Sequence, residues 1–309
     1  MKIGLALGAG AARGWAHIGV IRALQRAGIK IDVIAGCSIG AYVGAAYASG
    51  KLDALETWAN TLTEWQVFRL LGVGFRRGGL ASGQKVFDKL KEDFSAPKFE
   101  EMDIPFACVA TDLYSGKEVV FHSGEVGDAI QASCAIPALF SPVEHKGRWL
   151  VDGAVVNPVP VNQCRQLGAD FVIAVNLSAD FRPRLIETCE REHEENQRKT
   201  DEMLDKASDG FIKKWFSPDP KPNKMTPPGI VSVMSSSLDI LQARVTRSRL
   251  AGEPPDILIE PQLQDVGTLE FHRAIEVAEK GSQAIERLSQ QLAYQLGLPD
   301  KDSFAKHSN

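Results

Sequence analysis

The apolar run Ile3 to Leu7 ends in the loop Gly8-Ala9-Gly10-Ala11-Ala12-Arg13-Gly14, after which Trp15, Ile18, Ile21 and Leu24 recur at helical spacing as far as Gly28. That pattern predicts strand, glycine loop, helix. The same unit follows at once: a strand over Ile31–Ala35, the turn Gly36-Cys37-Ser38-Ile39-Gly40, and a small-residue helix over Ala41–Ser49. Further helices are expected at Leu52–Thr63 and Gln84–Phe94, and strands at Ile104–Ala110, Lys117–His122, Trp149–Val151 and Phe171–Leu177. Near the C-terminus the pattern predicts a helix over Leu238–Leu250, a strand over Ile257–Ile259 and an amphipathic helix over Phe271–Leu292. Alternation of this kind implies an α/β fold with a mostly parallel sheet covered on both faces. No repeat period is visible.

Between Asp180 and Gly229 the character changes, with 21 of 50 residues charged and six of the chain's 16 prolines, so residues 179–230 are expected to form a solvated insertion outside the core. Residues 2–178 are then expected to form the core domain, 231–300 helices and a strand packed on it, and 301–309 a tail. The longest uncharged stretch, Val33 to Gly50, carries four glycines and β-branched residues at its start, and reads as a buried strand and helix rather than a membrane span.

With 309 residues, a net charge of −4 and 44% hydrophobic residues, the chain falls outside the disordered, collagenous and basic nucleic-acid-binding classes, so no nucleic-acid partner is expected. Cys37, Cys108, Cys134, Cys164 and Cys189 are scattered, without the spacing of a zinc site or a disulfide framework. No metal and no cofactor are expected. The residues after Lys2 lack a signal-peptide pattern, which gives a cytoplasmic expectation, at most peripheral at the inner membrane surface. Two mixtures of bulky apolar and basic residues could meet such a surface: Val67-Phe68-Arg69-Leu70-Leu71 followed by Phe75 to Leu80, and Phe211-Ile212-Lys213-Lys214-Trp215-Phe216. The plainer reading makes them core-edge helices with solvated charges.

The chemistry concentrates at the strand ends. Gly36 and Gly40 flank Ser38 as a G-x-S-x-G at a strand-to-helix turn, a nucleophile elbow that lifts the central hydroxyl off the sheet, with the Ile39 amide at the helix start facing the same spot. The plainer reading makes Ser38 a helix N-cap. Cys37, as the neighbour of the central residue, is expected to point inward. Gly8-x-Gly10 suggests a dinucleotide loop, but Arg13 stands where the third glycine belongs and Asp32 lies at the wrong end of strand two. Gly10, Ala11 and their neighbours instead present backbone N–H groups to a developing oxyanion. None of His17, His122, His145, His193, His272 and His307 has the context of a base; His17 reads as a helix-packing or loop-bonding side chain. Asp152-Gly153-Ala154 places a carboxylate at a strand end, where a turn-forming role is the plainer reading of the residues alone.

Taken in order and spacing, A-G-A-A-R-G (Ala9–Gly14), G-C-S-I-G (Gly36–Gly40) and D-G-A (Asp152–Ala154) resemble the patatin-like phospholipases, and S-C-A-I-P (Ser133–Pro137) and the late A-G-E-P-P-D-I-L-I stretch look similar to bacterial RssA-type members. The resemblance covers about residues 2–178. It implies a three-layer α/β/α sandwich and a serine acyl hydrolase acting on lipid or other carboxylic esters. It also implies a Ser38–Asp152 dyad with an acyl-serine intermediate, and an oxyanion hole drawn from Gly8, Gly10, Ala11, Ala12, Arg13, Gly14 and Ile39. Registering Arg13-Gly14 on the family's glycine loop puts Ala9 and Ala11 at glycine positions, which narrows the loop. A serine this early in the chain leaves room for only two preceding strands, against a Ser-Asp-His hydrolase. The competing class is a non-catalytic interaction protein on the same fold.

Overall fold

The computed structural model describes residues 1–71, 73–76, 79–81, 83–180 and 230–298. Nearly all of the expected insertion, Cys189, His193, the Phe211–Phe216 cluster, and the tail with His307 lie outside the described residues. Residues 1–180 and 234–298 belong to one compact unit.

Strands β1 (Ile3–Leu7) and β2 (Val33–Cys37) run parallel at the centre of an eight-stranded sheet. Between them the chain passes through a 3-10 turn, Ala11–Trp15, and helix α1 (Ala16–Arg26). After β2 come α2 (Ile39–Ala48), α3 (Leu52–Asn60) and α4 (Glu64–Leu71), the small antiparallel pair β3 (Val73–Arg76) and β4 (Gly79–Ala81), and α5 (Gln84–Lys89). The sheet resumes with β5 (Phe106–Asp112) and β6 (Glu118–Phe121), then α6 (Val126–Ser133), β7 (Val143–His145), β8 (Arg148–Asp152), α7 (Val161–Gln166) and β9 (Phe171–Val175). The C-terminal part supplies α8 (Ile230–Gly252), β10 (Ile257–Ile259), α9 (Ala274–Arg287) and α10 (Ser289–Leu296).

Parallel pairing links β10, β9, β1, β2 and β5 in that order, whereas β6, β7 and β8 are antiparallel. The mostly parallel α/β architecture follows from strands apolar on both faces. Leu5, Leu7, Ile34 and Ile173 pack into the larger core with α1 and α2, while Ala6, Val33, Ala35 and Val172 pack on the other face against α7. α9 lies directly on α1 because a Cβ at Gly281 would sit 2.0 Å from the Ala16 carbonyl oxygen; only glycine permits so close a crossing.

Several expected boundaries are corrected. β2 begins two residues late and continues through Gly36, which stays in register with Leu7 and Cys108, and Cys37, which stays in register with Val109, so the turn is confined to Ser38. The helix expected over Gln84–Phe94 changes to a π-turn at Leu90–Phe94. The one expected over Phe271–Leu292 starts as a 3-10 turn and breaks at Leu288, whose ψ of 5° leaves the helical range although the hydrophobic pattern continues. The expected C-terminal helix at Leu238–Leu250 is longer, and that at Leu52–Thr63 shorter.

Candidate active site

Strand pairing brings the two distant motifs together. β6 covers one edge of β5 over Cys108–Thr111, so β2 and β8 share the other edge. Cys37 at the end of β2 stands opposite Val109, and Asp152 at the end of β8 stands opposite Ala110. The two strands therefore meet end to end, and the side chains just past that meeting point face each other. Ser38 Oγ donates to Asp152 Oδ2 at 2.6 Å, across 114 residues of sequence.

The elbow is strained and tightly packed. Ser38 has φ 55° and ψ −125°, a conformation that costs about 1–3 kcal/mol for a residue with a Cβ. A Cβ at Gly36 would lie 2.5 Å from Ala41 Cα, and one at Gly40 2.2 Å from the Leu7 oxygen, which is why both positions need glycine. Ser38 makes no side-chain cap bond to α2, so its hydroxyl is left to Asp152 rather than capping the helix. Its amide donates to Ser133 Oγ at 2.9 Å. Ser133 is fully buried, and its motif in the sequence gave no hint of this support.

Asp152 is 3% exposed and held on every side. Its Oδ1 accepts the Ala154 amide at 2.8 Å, its backbone amide donates to the Ala135 oxygen, and its carbonyl accepts from Thr111 Oγ1. The turn-forming and hydroxyl-facing readings of this residue are therefore both realised, one on each carboxylate oxygen. Burial pushes the carboxyl up to about 7, against the pull of the Ser38 and Ala154 donors. Cys37 is fully buried, its thiol lies 3.9 Å from Asp152 Oδ1, and burial with that carboxylate drives it well above the usual thiol range. It points inward, as an elbow neighbour should.

The glycine loop is fastened mostly through its own amides. Gly8 N–H donates to the Val175 oxygen, Ala9 to Pro158, Ala12 to Thr268 and Arg13 to Gly10. Arg13 Nε donates to the Val266 oxygen, and Gly14 packs beneath the Ile39 side chain. Gly10 and Ala11 begin the 3-10 turn and Ile39 begins α2, positions whose amides have no acceptor inside their own helices. Ala11 takes φ 48°, a left-handed value that glycine adopts without strain. His17 is buried beneath this loop with Nε2 2.7 Å from the Gly8 oxygen; because a carbonyl only accepts, Nε2 carries the proton, and burial lowers the ring to about 4, leaving it neutral. It is a loop-bonding residue. Asp32 accepts the Ile3 amide at 2.8 Å, a structural role at the far end of the sheet.

An apolar pocket opens beside Ser38, walled by Trp15, Tyr42, Trp58, Val67, Leu70 and Phe271 among others. Two polar atoms of its aromatic walls are paired: Trp15 Nε1 donates to the Phe271 oxygen and the Tyr42 hydroxyl to the Val86 oxygen. The segment after the insertion thus completes the site, through Phe271 in the wall, Thr268 and Val266 under the loop, and Gln242, whose amide reaches the Ala9 oxygen at 3.4 Å. Helical periodicity alone could not have assigned these residues to the site.

The family model for patatin-like phospholipases matches residues 5–165. The chain belongs to that family. This patatin-like protein is 33% identical to an uncharacterized NTE family protein of Mycobacterium tuberculosis, over 92% of this chain and 91% of the relative. It is 27% identical to the lysophospholipase NTE1 of Pyricularia oryzae, over 91% of this chain and 18% of that much longer protein. Among solved structures, VipD from Legionella pneumophila aligns over 98% of this chain and 77% of its own, with a TM-score of 0.39 and 12% identity. Among the described residues no helix is long and apolar enough to cross a membrane.

Proposed function

We propose that this patatin-like protein hydrolyses carboxylic esters of lipids through a Ser38–Asp152 dyad. The observation that carries this reading is the 2.6 Å hydrogen bond from Ser38 to a buried carboxylate at the end of an apolar pocket. Ser38 Oγ attacks the ester carbonyl and its proton passes to Asp152 Oδ2. The oxyanion forms against the Gly10, Ala11 and Ile39 amides, which are not spent on the loop's own bonds as those of Gly8, Ala12 and Arg13 are. Asp152 returns the proton to the departing alcohol, and water then hydrolyses acyl-Ser38 by the same steps. The apolar walls suit an acyl chain. The family membership and the NTE lysophospholipase relatives support a lipid substrate.

A panel of nitrophenyl esters of rising chain length, with monoacyl and diacyl phospholipids, tests this. The expected result is kcat/KM that climbs with chain length; no turnover of any carboxylic ester above the uncatalysed rate would refute it.

Because the base works only when ionised, its elevated carboxyl sets the pH profile. kcat/KM should rise about tenfold per pH unit on the acid side and level off near 7. An acid limb centred near the ordinary carboxylate range, about 4, would show that burial does not tune Asp152.

A further inference from the structure

α4 is apolar on two opposite sides. Val67 and Leu70, three residues apart, line the pocket beside Ser38, and Val67 is buried. Trp65 and Phe68, also three apart, project from the other side, 66% and 53% exposed, with rings stacked at 5.9 Å and 17°. A helix on the surface of a globular protein ordinarily turns polar residues outward, so two bulky aromatics in water on one short helix call for a function. Around them Glu64 at the start of α4 meets His272 at 3.5 Å, which brings alongside the segment carrying exposed Leu269 and Ile275. Arg69 on α4 and Lys85 on the adjoining α5 are exposed cations.

We propose that α4 is the surface by which the protein docks on a phospholipid bilayer, with Trp65 and Phe68 entering the interface and substrate passing along Val67 and Leu70 to Ser38. This rests on the reading of the site as a lipid ester hydrolase. Continuity decides the occupant: the helix whose outer face is apolar is itself a wall of the apolar pocket, so a lipid moving from bilayer to serine need never cross water. Trp is a residue of membrane interfaces, and the cations suit phosphate head groups. A second copy of the chain is a poorer fit, since two aromatic side chains bury at most about 150–250 Å² each, against the roughly 1,200–2,000 Å² of a stable protein interface.

Cosedimentation of the full chain with phosphatidylcholine vesicles, with and without phosphatidylglycerol, tests the proposal. The parent is expected to pellet with the vesicles. Trp65→Ser with Phe68→Ser should lower partitioning by about tenfold or more, whereas Trp65→Phe with Phe68→Leu, which keeps the apolar face, should retain it. The serine pair should hydrolyse a soluble short-chain nitrophenyl ester as the parent does, and Ser38→Ala should bind vesicles unchanged. A parent that stays in the supernatant, a serine pair that still pellets, or a serine pair that loses soluble-ester activity would each overturn the docking role. So would a parent dimer that the serine pair dissociates. Soluble-ester activity surviving in Ser38→Ala would instead refute the dyad while leaving the vesicle result standing.

Discussion

Ser38→Ala is expected to lower kcat/KM for ester hydrolysis by at least about 10³-fold while leaving the fold intact. The hydroxyl is the only part of Ser38 aimed at Asp152, and the surrounding geometry belongs to others: Gly36 and Gly40 allow the close contacts, and Ser133 holds the amide. Alanine keeps the Cβ and therefore the strained φ of 55°. Ser38→Gly should be equally inactive yet melt higher than Ser38→Ala, because it releases part of that strain. Thermal melts beside steady-state kinetics separate the two effects. Activity near the parent's in either variant would remove Ser38 from the chemistry, and with it the dyad.

Asp152→Asn should cost roughly 10²–10⁴-fold in turnover, the usual worth of a general base, without disturbing the turn. The amide can keep its oxygen on the Ala154 N–H and donate from Nδ2 to Ser38 Oγ, so both neighbours stay bonded. What is lost is an acceptor for the serine proton. Stability should move the other way, and with pH. The folded carboxyl titrates near 7 and the unfolded one near 4, so below about pH 4 both states bind the proton and the residue costs nothing. As pH rises from about 4 through 7 the unfolded chain ionises first, and the native state is penalised by a growing amount, of order 4 kcal/mol once both are ionised. Asp152→Asn carries no such penalty. Its melting temperature relative to the parent should therefore be higher at pH 8 than at pH 4.5. A difference that does not change with pH would mean that the native carboxyl titrates normally.

Much of this site can be read from the sequence because its decisive features are local. A glycine loop after an apolar strand, a serine between two glycines and an aspartate before a glycine each declare a turn at a strand end, and β1 and β10 fall on the expected residues. What joins Ser38 to Asp152 is not local: it is the antiparallel register of Ala110 with Asp152 on the β5 edge that β2 has just left. The run Trp149–Val151 marks β8, and Val67–Leu71 reads as a core-edge helix where α4 forms, whereas β7 and the short helices α6 and α7 carry too few residues for a period to stand out. Ser133 looks like any small residue near a helix end until tertiary packing puts its hydroxyl under the Ser38 amide. The pocket wall contributed by Phe271 comes from beyond the charged stretch, where apolar periodicity announces a helix and says nothing of what it covers.

Reaction of the full chain with a fluorophosphonate, followed by mass spectrometry of the peptide spanning Gly36–Gly40, tests the dyad most directly. A nucleophilic Ser38 should take up one phosphonyl group on its Oγ, faster as pH rises through about 7, and far more slowly once Asp152 is asparagine. A label on Cys37, a label elsewhere in the chain, or an unmodified peptide would contradict it.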